Sequence, residues 1–265
     1  LEALQGSNGD LGIEMVNGYT TSFTEGLSGP TGLYRINLQA ISAGSCDIDI
    51  LPAPALPASM AGFWKMDDNA ANKTVIDSSG NGNDGTSQQN TDILSTTGRI
   101  DGALTFNGTS DYVDVGPVIG TGAYTKVAWV KRASGDFYNN MISSDVSSHF
   151  FWIPSSRSFK LTAGHNTDYY IVQDSVQLDV DVWYHVAVTF DPTGGDMVLY
   201  KNGVAIDSAT GAPTQNPSNA TYIGRYMNGY NFGGSLDDVM VFDRALSPDE
   251  ISELYQKVMT TPKFA

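Results

Sequence analysis

Asp237 and Asp238 stand side by side in Leu236-Asp237-Asp238-Val239-Met240-Val241-Phe242, a run whose other members are all apolar. With the two-residue period of a strand, Leu236, Asp238, Met240 and Phe242 share one face and Asp237, Val239 and Val241 the other. Both faces are apolar, so a carboxylate there either ionises beside a cation or raises its pKa and stays neutral. Asp67 and Asp68 follow shortly after Trp64, and bringing them close to Asp237 adds repulsion unless a cation joins the group. The loop Asp77-Ser78-Ser79-Gly80-Asn81-Gly82-Asn83-Asp84-Gly85 offers further oxygens, from Asp77, from carbonyls or from the Asn81 and Asn83 amides. Hard divalent cations take ligands of this kind. The alternative use of the same residues is a set of Asx turns and strand-end hydrogen bonds without metal. The loop is not an EF-hand, because it lacks that motif's acid spacing and closing Glu.

A second chemistry is open to aromatic residues in polar, loop-like settings. Sugar binding needs aromatic faces for CH groups and planar polar side chains for hydroxyls. Four segments have this character: Phe137-Tyr138-Asn139-Asn140, His149-Phe150-Phe151-Trp152, Asp168-Tyr169-Tyr170, and Arg225-Tyr226-Met227-Asn228-Gly229-Tyr230-Asn231-Phe232. From them we take Tyr226, Asn228, Tyr230, Asn231, Trp152 and Tyr169 as candidate glycan contacts. The competing reading is that these rings only cover a sheet edge.

Signals for catalysis are weak. Of the 29 acidic residues only Glu2, Glu14, Glu25, Glu250 and Glu253 are glutamates. Asp111/Asp114 and Asp179/Asp181 are spaced as possible acid–base pairs, but each fits a loop flank better. His149, His165 and His185 belong to no metalloprotease motif, and no nucleophile elbow or Gly-rich phosphate loop occurs.

The elements that must position these groups are strands. Asn202-Gly203 between Met197–Lys201 and Val204–Asp207 accepts the positive φ of a two-residue turn and predicts a β-hairpin. Asp191-Pro192-Thr193-Gly194-Gly195 turns the chain ahead of it, giving a three-stranded antiparallel meander with Trp183–Phe190. Further short strands recur from Ala103 to Phe242. One helix is expected: Ser247 caps it, Pro248 opens it, Glu250 closes the capping box, and Ile251, Leu254, Tyr255 and Val258 make its inward stripe.

The chain has 265 residues and a net charge of −15. That charge argues against nucleic acid and acidic membranes as partners. No window is apolar enough to span a membrane. The single cysteine, Cys46, excludes an internal disulfide framework. Residues 1–58 differ from the rest: only Leu33–Ile41 alternates like a strand, and Leu51-Pro52-Ala53-Pro54-Ala55-Leu56-Pro57-Ala58 reads as a stiff connector. We therefore expect an N-terminal extension or the end of a preceding domain over 1–58, and a main domain over 59–265.

Several motifs, in order, resemble a known family. These are Gly62-Phe63-Trp64-Lys65-Met66-Asp67-Asp68, the Asp77–Gly85 loop, Gly102-Ala103-Leu104-Thr105-Phe106-Asn107-Gly108, Trp183–Asp191, Tyr200-Lys201-Asn202-Gly203, Ile223-Gly224, and Gly234–Val239 through Arg244-Ala245-Leu246-Ser247. Together they are similar to the laminin-G-like jelly-roll domains of the concanavalin A-like lectin/glucanase superfamily, from about Gly62 to Tyr255. The resemblance implies an all-β fold: a two-sheet antiparallel jelly-roll sandwich with one short C-terminal helix. It also implies a structural Ca²⁺ tying the early acidic loop to a late strand, here through Asp237 and Asp67 or Asp68, with Asp77, Asn81 and Asn83 as the loop's contributors. The superfamily holds enzymes as well as binding modules. The catalytic glutamates of its laminarinase-type members have no counterpart in the jelly-roll stretch.

The expectation is thus a calcium-stabilised, non-catalytic glycan-binding or adhesion module, secreted or on the cell surface, within a larger bacterial surface protein. Its partner would be an extracellular glycan or surface polysaccharide, with no nucleic acid and no membrane insertion. A polysaccharide-active glycosidase or lyase and a ligand-free structural spacer are the alternatives.

Overall fold

The computed structural model describes residues 59–165 and 172–256 in full, and elsewhere the backbone of residues 2–5, 11–14, 34–42, 45–52, 170–171 and 257–259. The chain divides into two compact units, Leu1–Ala55 and Leu56–Ala265, so the division falls inside the proline-rich segment. In the first unit β1 (Glu2–Gln5) pairs with β2 (Leu11–Glu14), and β3 (Tyr34–Ser42) pairs with β4 (Ser45–Pro52). The alternating run from Leu33 to Ile41 is β3. Its partner β4 carries Cys46-Asp47-Ile48-Asp49-Ile50, an alternation of the same kind that the sequence reading passed over.

The second unit runs through β5 (Met60–Trp64), β6 (Thr74–Val75), β7 (Gly85–Ser87), α1 (Thr91–Leu94), β8 (Ser95–Thr97), β9 (Gly102–Asn107), β10 (Val113–Asp114) and β11 (Tyr124–Arg132). It continues with β12 (Ile142–Ser144), β13 (His149–Trp152), β14 (Lys160–His165), β15 (Tyr170–Gln177), β16 (Tyr184–Asp191), β17 (Asp196–Lys201) and β18 (Val204–Ala209). It closes with β19 (Thr221–Ile223), β20 (Arg225–Tyr226), β21 (Tyr230–Asn231), β22 (Gly233–Phe242) and α2 (Pro248–Met259). One sheet is ordered β18-β17-β16-β11-β22-β9-β8, with β5 also on β22; another is β12-β19-β10-β7-β6; β13-β14-β15 and the β20–β21 ribbon complete the unit. Every pairing in it is antiparallel.

Alternation along the strands builds the core. Leu104, Val130, Val186, Val188, Val239 and Val241 of the large sheet meet Val75, Val113, Ile142 and Ile223 of the second sheet, and Phe151, Leu161 and Val172 of the third. The other face of the large sheet presents Phe63, Val127, Ala187, Tyr200, Met240 and Phe242 to Leu246, Ile251 and Leu254. Helix α2 covers that face as its apolar stripe requires. Its start is a reciprocal capping box: the Glu250 N–H donates to Ser247 Oγ at 3.3 Å, and the Ser247 N–H donates to Glu250 Oε2 at 2.9 Å. Asn202 and Gly203 both have positive φ, 51° and 78°, in the turn joining β17 to β18. The short turns α1 and Ser155–Arg157 are the helical pieces that hydrophobic periodicity missed, being too brief to show it.

One expectation about β22 needs correction. Leu236 and Val239 face the same core, so strict alternation fails between them. Val127 lies opposite Met240 and Trp129 opposite Asp237, so two steps along β11 match three along β22. The extra residue makes a β-bulge at Asp238, whose φ is 45°. The bulge lies where β22 exchanges neighbours, from β9 beside Gly233–Leu236 to β5 beside Val239–Phe242.

Candidate functional site

The acidic residues gathered by the sequence reading separate into two groups. Asp77 is buried at the head of its loop, and both of its oxygens are taken. Oδ1 accepts the N–H groups of Phe63 (3.0 Å) and Ser79 (2.9 Å); Oδ2 accepts the Ser79 hydroxyl (2.8 Å) and the Asn83 N–H (2.9 Å). These donors hold its pKa below the ordinary carboxylate value, against the desolvation that raises it. Asn81 Nδ2 donates to the Met60 carbonyl at 2.7 Å, and Asn83 Nδ2 to that of Ala61 at 2.8 Å. The loop is tied to β5 by the Asx-type bonding that was the metal-free alternative. As folded, each Asp77 oxygen already accepts two hydrogen bonds, whereas Asn81 and Asn83 use their amide Nδ2 groups as donors. Asp68 faces this side too: its Oδ1 accepts the Ile76 N–H at 3.1 Å, and burial raises its pKa.

The second group sits at the bulge. Asp237 is wholly buried, its Oδ2 accepting the N–H groups of Arg99 (2.6 Å) and Ile100 (2.9 Å). Its Oδ1 has no hydrogen-bond partner. Desolvation, then the neighbouring Asp238, push its pKa up to about 8, and Asp67 adds to the effect. Asp238 is pushed up to about 7 by burial and by Asp67, against the opposing charge of Lys65. Asp67 is raised by burial and by Asp101, while its Oδ1 accepts the Gly102 N–H at 2.7 Å. The arrangement follows from the fold: β5 ends at Trp64 and the β9 ladder reaches Leu236, so the bulge of β22 falls between the two ladders, where the Asp238 N–H donates to the Lys65 carbonyl at 3.3 Å. Asp238 is the member of this group that the sequence reading did not include among the candidate ligands. Among the described residues, no group of three or more acidic, His or Cys side chains is set to hold a metal ion. The bare Oδ1 of Asp237 beside two carboxylates that raise one another is nonetheless the chemistry a hard cation relieves, and these residues fit one better than the Asp77 loop does.

Away from both carboxylate groups, three chain segments bring aromatic rings together. Tyr226 and Tyr230 are cross-strand partners in the β20–β21 ribbon, with ring centroids 5.9 Å apart. Tyr138, from the loop after β11, stands edge-on to Tyr230 at 4.6 Å. Phe150 of β13 meets Tyr226 at 6.2 Å and Trp152 at 5.5 Å. Tyr138 is 46% exposed and Tyr230 38%, whereas Phe150 is buried beneath. The loop bearing Tyr138 is anchored by Phe137, whose ring fills space that only glycine leaves: a Cβ on Gly233 would lie 2.3 Å from it, and one on Gly108 2.4 Å. The Asn140 amide donates to the Tyr230 carbonyl at 3.0 Å and fixes the ribbon to that loop. Tyr226, Tyr230 and Trp152 thus converge, and Asn228 is exposed at the ribbon's tip. Asn231 does not join them: it pairs across the ribbon with Arg225, is buried, and donates its amide to the Thr109 carbonyl. Tyr169 lies outside the described residues. Tyr138 and Phe150 were legible as loop aromatics, but their convergence with Tyr230 was not.

Other candidates resolve into structure. Asp111 Oδ2 accepts the Asn107 N–H (3.1 Å), Asp114 Oδ1 the Gly116 N–H (3.0 Å) and Asp179 Oδ2 the Tyr184 hydroxyl (3.0 Å). His185 is buried against Trp129 and Tyr255, and burial drives its pKa down to about 3. Inside the sandwich the fully buried Lys126 donates to the Ile142 carbonyl at 3.1 Å and lies 2.9 Å from His149 Nδ1. Burial holds both well below their ordinary pKa values. His165 Nδ1 donates to the Pro213 carbonyl at 2.9 Å, so its Nε2 accepts from the Tyr124 hydroxyl at 2.7 Å.

Residues 107–252, more than half of the chain, match the family model described as the Concanavalin A-like lectin/glucanases superfamily. The chain belongs to that superfamily. No curated protein matches the sequence. Among solved structures, Domain 4 of AbnA, a GH43 extracellular arabinanase from Geobacillus stearothermophilus in complex with arabinotriose, is 20% identical at a TM-score of 0.60, covering 75% of this chain and 98% of that one. A Trypanosoma rangeli sialidase mutant displaying trans-sialidase activity is 17% identical with a TM-score of 0.59, covering 78% of this chain but 35% of that one. The binding domain of Botulinum Neurotoxin DC in complex with SialylT is 17% identical with a TM-score of 0.57, covering 78% of this chain and 53% of that one. The chain therefore spans about a third of the sialidase and half of the neurotoxin domain. At these identities the likeness is one of fold: this concanavalin A-like chain shares its sandwich with domains that bind carbohydrate and with parts of enzymes. No helix among its described residues is long and apolar enough to cross a membrane.

Proposed function

We propose that the jelly-roll unit is a non-catalytic glycan-binding or adhesion module of a secreted or cell-surface bacterial protein, and that its ligand lies on the aromatic cluster of Tyr138, Tyr226, Tyr230 and Trp152. The observation that carries the reading is the convergence of rings from three separate segments, with Tyr138 and Tyr230 exposed, Tyr226 and Trp152 half-buried and Phe150 packed beneath. Such rings offer CH–π contact to a sugar, and their rigidity lowers the entropy lost on binding. Solved relatives in complex with arabinotriose and SialylT lend the fold-level analogy. Against catalysis, the only glutamates of the unit, Glu250 and Glu253, are in α2, and Asp111, Asp114 and Asp179 are engaged in turn and loop bonds. Affinity electrophoresis in arabinan, xylan and β-glucan gels tests the reading. Retardation that Tyr230→Ala removes supports it; release of reducing ends or of unsaturated products by the purified protein overturns it.

A structural Ca²⁺ belongs to the same proposal. Asp237 would hold it, with Asp67 and Asp238 having to close on the ion, since as folded no three such groups among the described residues are set to bind one; it would add to the charge that Lys65 brings to Asp67 and Asp238. Without it, Asp237 relieves its burial by keeping a proton. The test is the melting temperature with calcium and with chelator: a calcium-dependent rise that Asp237→Asn abolishes is expected, and equal melting in both conditions overturns the metal.

A further inference from the structure

We infer that the aromatic surface accepts neutral glycans and discriminates against acidic ones, because the cation built into its ribbon is locked away from the ligand. This rests on reading that surface as the glycan site. Arg225 is adjacent in sequence to Tyr226, and alternation along β20 turns the two side chains to opposite faces of the ribbon. Tyr226 faces Phe150 and Tyr230. Arg225 faces the other way, its guanidinium carbon 4.3 Å from the Tyr112 ring centroid and 5.1 Å from that of Tyr222. Two of its five N–H donors are directed into the ribbon: Nε donates to the Met227 carbonyl and Nη2 to Asn228 Oδ1. Its charge is also opposed locally, since Asp114 and Asp145 act on the Tyr222 hydroxyl that Arg225 faces.

A carboxylate or sulfate on a sugar needs a positive partner with free donors, most effectively the two-pronged edge of a guanidinium. Arg225 turns Nε and one Nη2 donor into the ribbon and its faces to tyrosines on the side away from Tyr226 and Tyr230. Locking it also consumes the carbonyl end of Asn228, so the exposed tip of the ribbon keeps the amide Nδ2, a neutral donor suited to a hydroxyl. The Tyr138 loop carries the exposed Asp136, two residues before Tyr138, and adds negative rather than positive charge to that segment. The net charge of −15 adds a repulsive field at longer range. Stacking faces and uncharged hydrogen-bonding groups together describe a site for unsubstituted oligosaccharides. In this account Arg225 is a positioning residue that stiffens the ribbon under Tyr226 and Tyr230.

Isothermal titration of the whole chain with arabinotriose, xylotetraose and cellotetraose, set beside 3′-sialyllactose and tetragalacturonic acid, tests the inference at roughly physiological salt, where long-range screening is already strong. The expected result is binding of at least one neutral probe, weakened about tenfold or more by Tyr230→Ala, with both acidic probes at least tenfold weaker than it. An acidic probe that binds as well as the neutral ones, and is lost with Tyr230→Ala, overturns the neutral selectivity while leaving the glycan site in place. Binding of no probe, or binding that Tyr230→Ala leaves unchanged, overturns the site and the selectivity together. Circular dichroism of Tyr230→Ala separates lost binding from lost fold.

Discussion

Asp77 and Asp237 are both buried aspartates beside the same pair of strands, and their surroundings drive them in opposite directions. Asp77 receives four donors, two on each oxygen, and its pKa falls. Asp237 receives two donors on one oxygen and none on the other, next to two further carboxylates, and its pKa rises to about 8. Burial raises both; at Asp77 the supply of donors outweighs it, and at Asp237 it does not. The Asp77 loop curls its own N–H groups around the carboxylate; the bulge of β22 lies in a gap between two neighbouring strands, where few N–H groups reach. A buried acid saturated with donors is a structural knot, and one left half-saturated among like charges is where a cation has something to do.

The largest effect should come from cutting the knot. Asp77→Ala removes charge-assisted bonds and leaves the buried Phe63 N–H unpaired, so a loss of about 3 kcal/mol or more is expected in denaturant unfolding. Asp77→Asn should recover little of it, because an amide NH₂ turns donors toward donors. If Asp77→Ala costs under about 1 kcal/mol, the loop is held by something other than its carboxylate.

Calcium should have the next largest effect, on Asp237. With the ion at a hundredfold excess over its dissociation constant, linkage predicts about 2.7 kcal/mol of added stability. Asp237→Asn should lose that gain while melting close to the metal-free wild type, since the amide is neutral like the protonated carboxyl it replaces. Should Asp77→Asn abolish the calcium response and Asp237→Asn preserve it, the contrast between the two sites is reversed.

Acid and base should then part the two residues without any substitution of shape. Because the folded Asp77 sits below its ordinary 3.8, its contribution is full above that value and is lost as the pH drops through the range beneath it. Asp237 works the other way: the native state keeps a proton up to about 8 that the unfolded chain releases near 3.8, so metal-free stability declines as the pH rises between those values. Asp237→Asn should flatten the upper slope only in part, since Asp238, raised to about 7, contributes to it as well. Unfolding free energies measured from acid to mildly alkaline pH in chelator decide this, and a slope of opposite sign above pH 5 counts against the assignment.

How much of this was legible in the sequence follows from range. The hairpin at Asn202-Gly203, the cap at Ser247 and the strand runs are local patterns, and they appear where the residues put them. The Asp77 loop was recognised as acidic and turn-rich, but whether its oxygens meet N–H groups or a cation depends on how the chain curls, which residue type does not specify. Asp237 was grouped with Val239 and Val241, but one inserted residue resets the two-residue period and sets it opposite Trp129, on the face of Val127 and Met240; nothing in Leu236-Asp237-Asp238-Val239 marks the insertion. The aromatic cluster was visible only in pieces: Tyr138, Phe150 and Tyr230 are far apart in sequence, and sheet topology alone brings them into contact.

The smallest effect on stability should come from Tyr230→Ala, and its smallness is informative. The ring is 38% exposed and leans on Tyr138 and Tyr226 rather than on the core, so truncation should cost no more than about 1 kcal/mol. Such a residue, held in place by Asn140 and flanked by two other exposed or half-exposed rings, can serve the proposed glycan site without being needed by the fold. Tyr200, sealed beneath α2, is the control: Tyr200→Ala should cost about 3 to 5 kcal/mol and leave the sugar-binding surface untouched until the protein unfolds. Equal destabilisation by the two substitutions would mean that the Tyr138–Tyr226–Tyr230 cluster is packing, with no more claim to a ligand than the saturated Asp77 has to a metal.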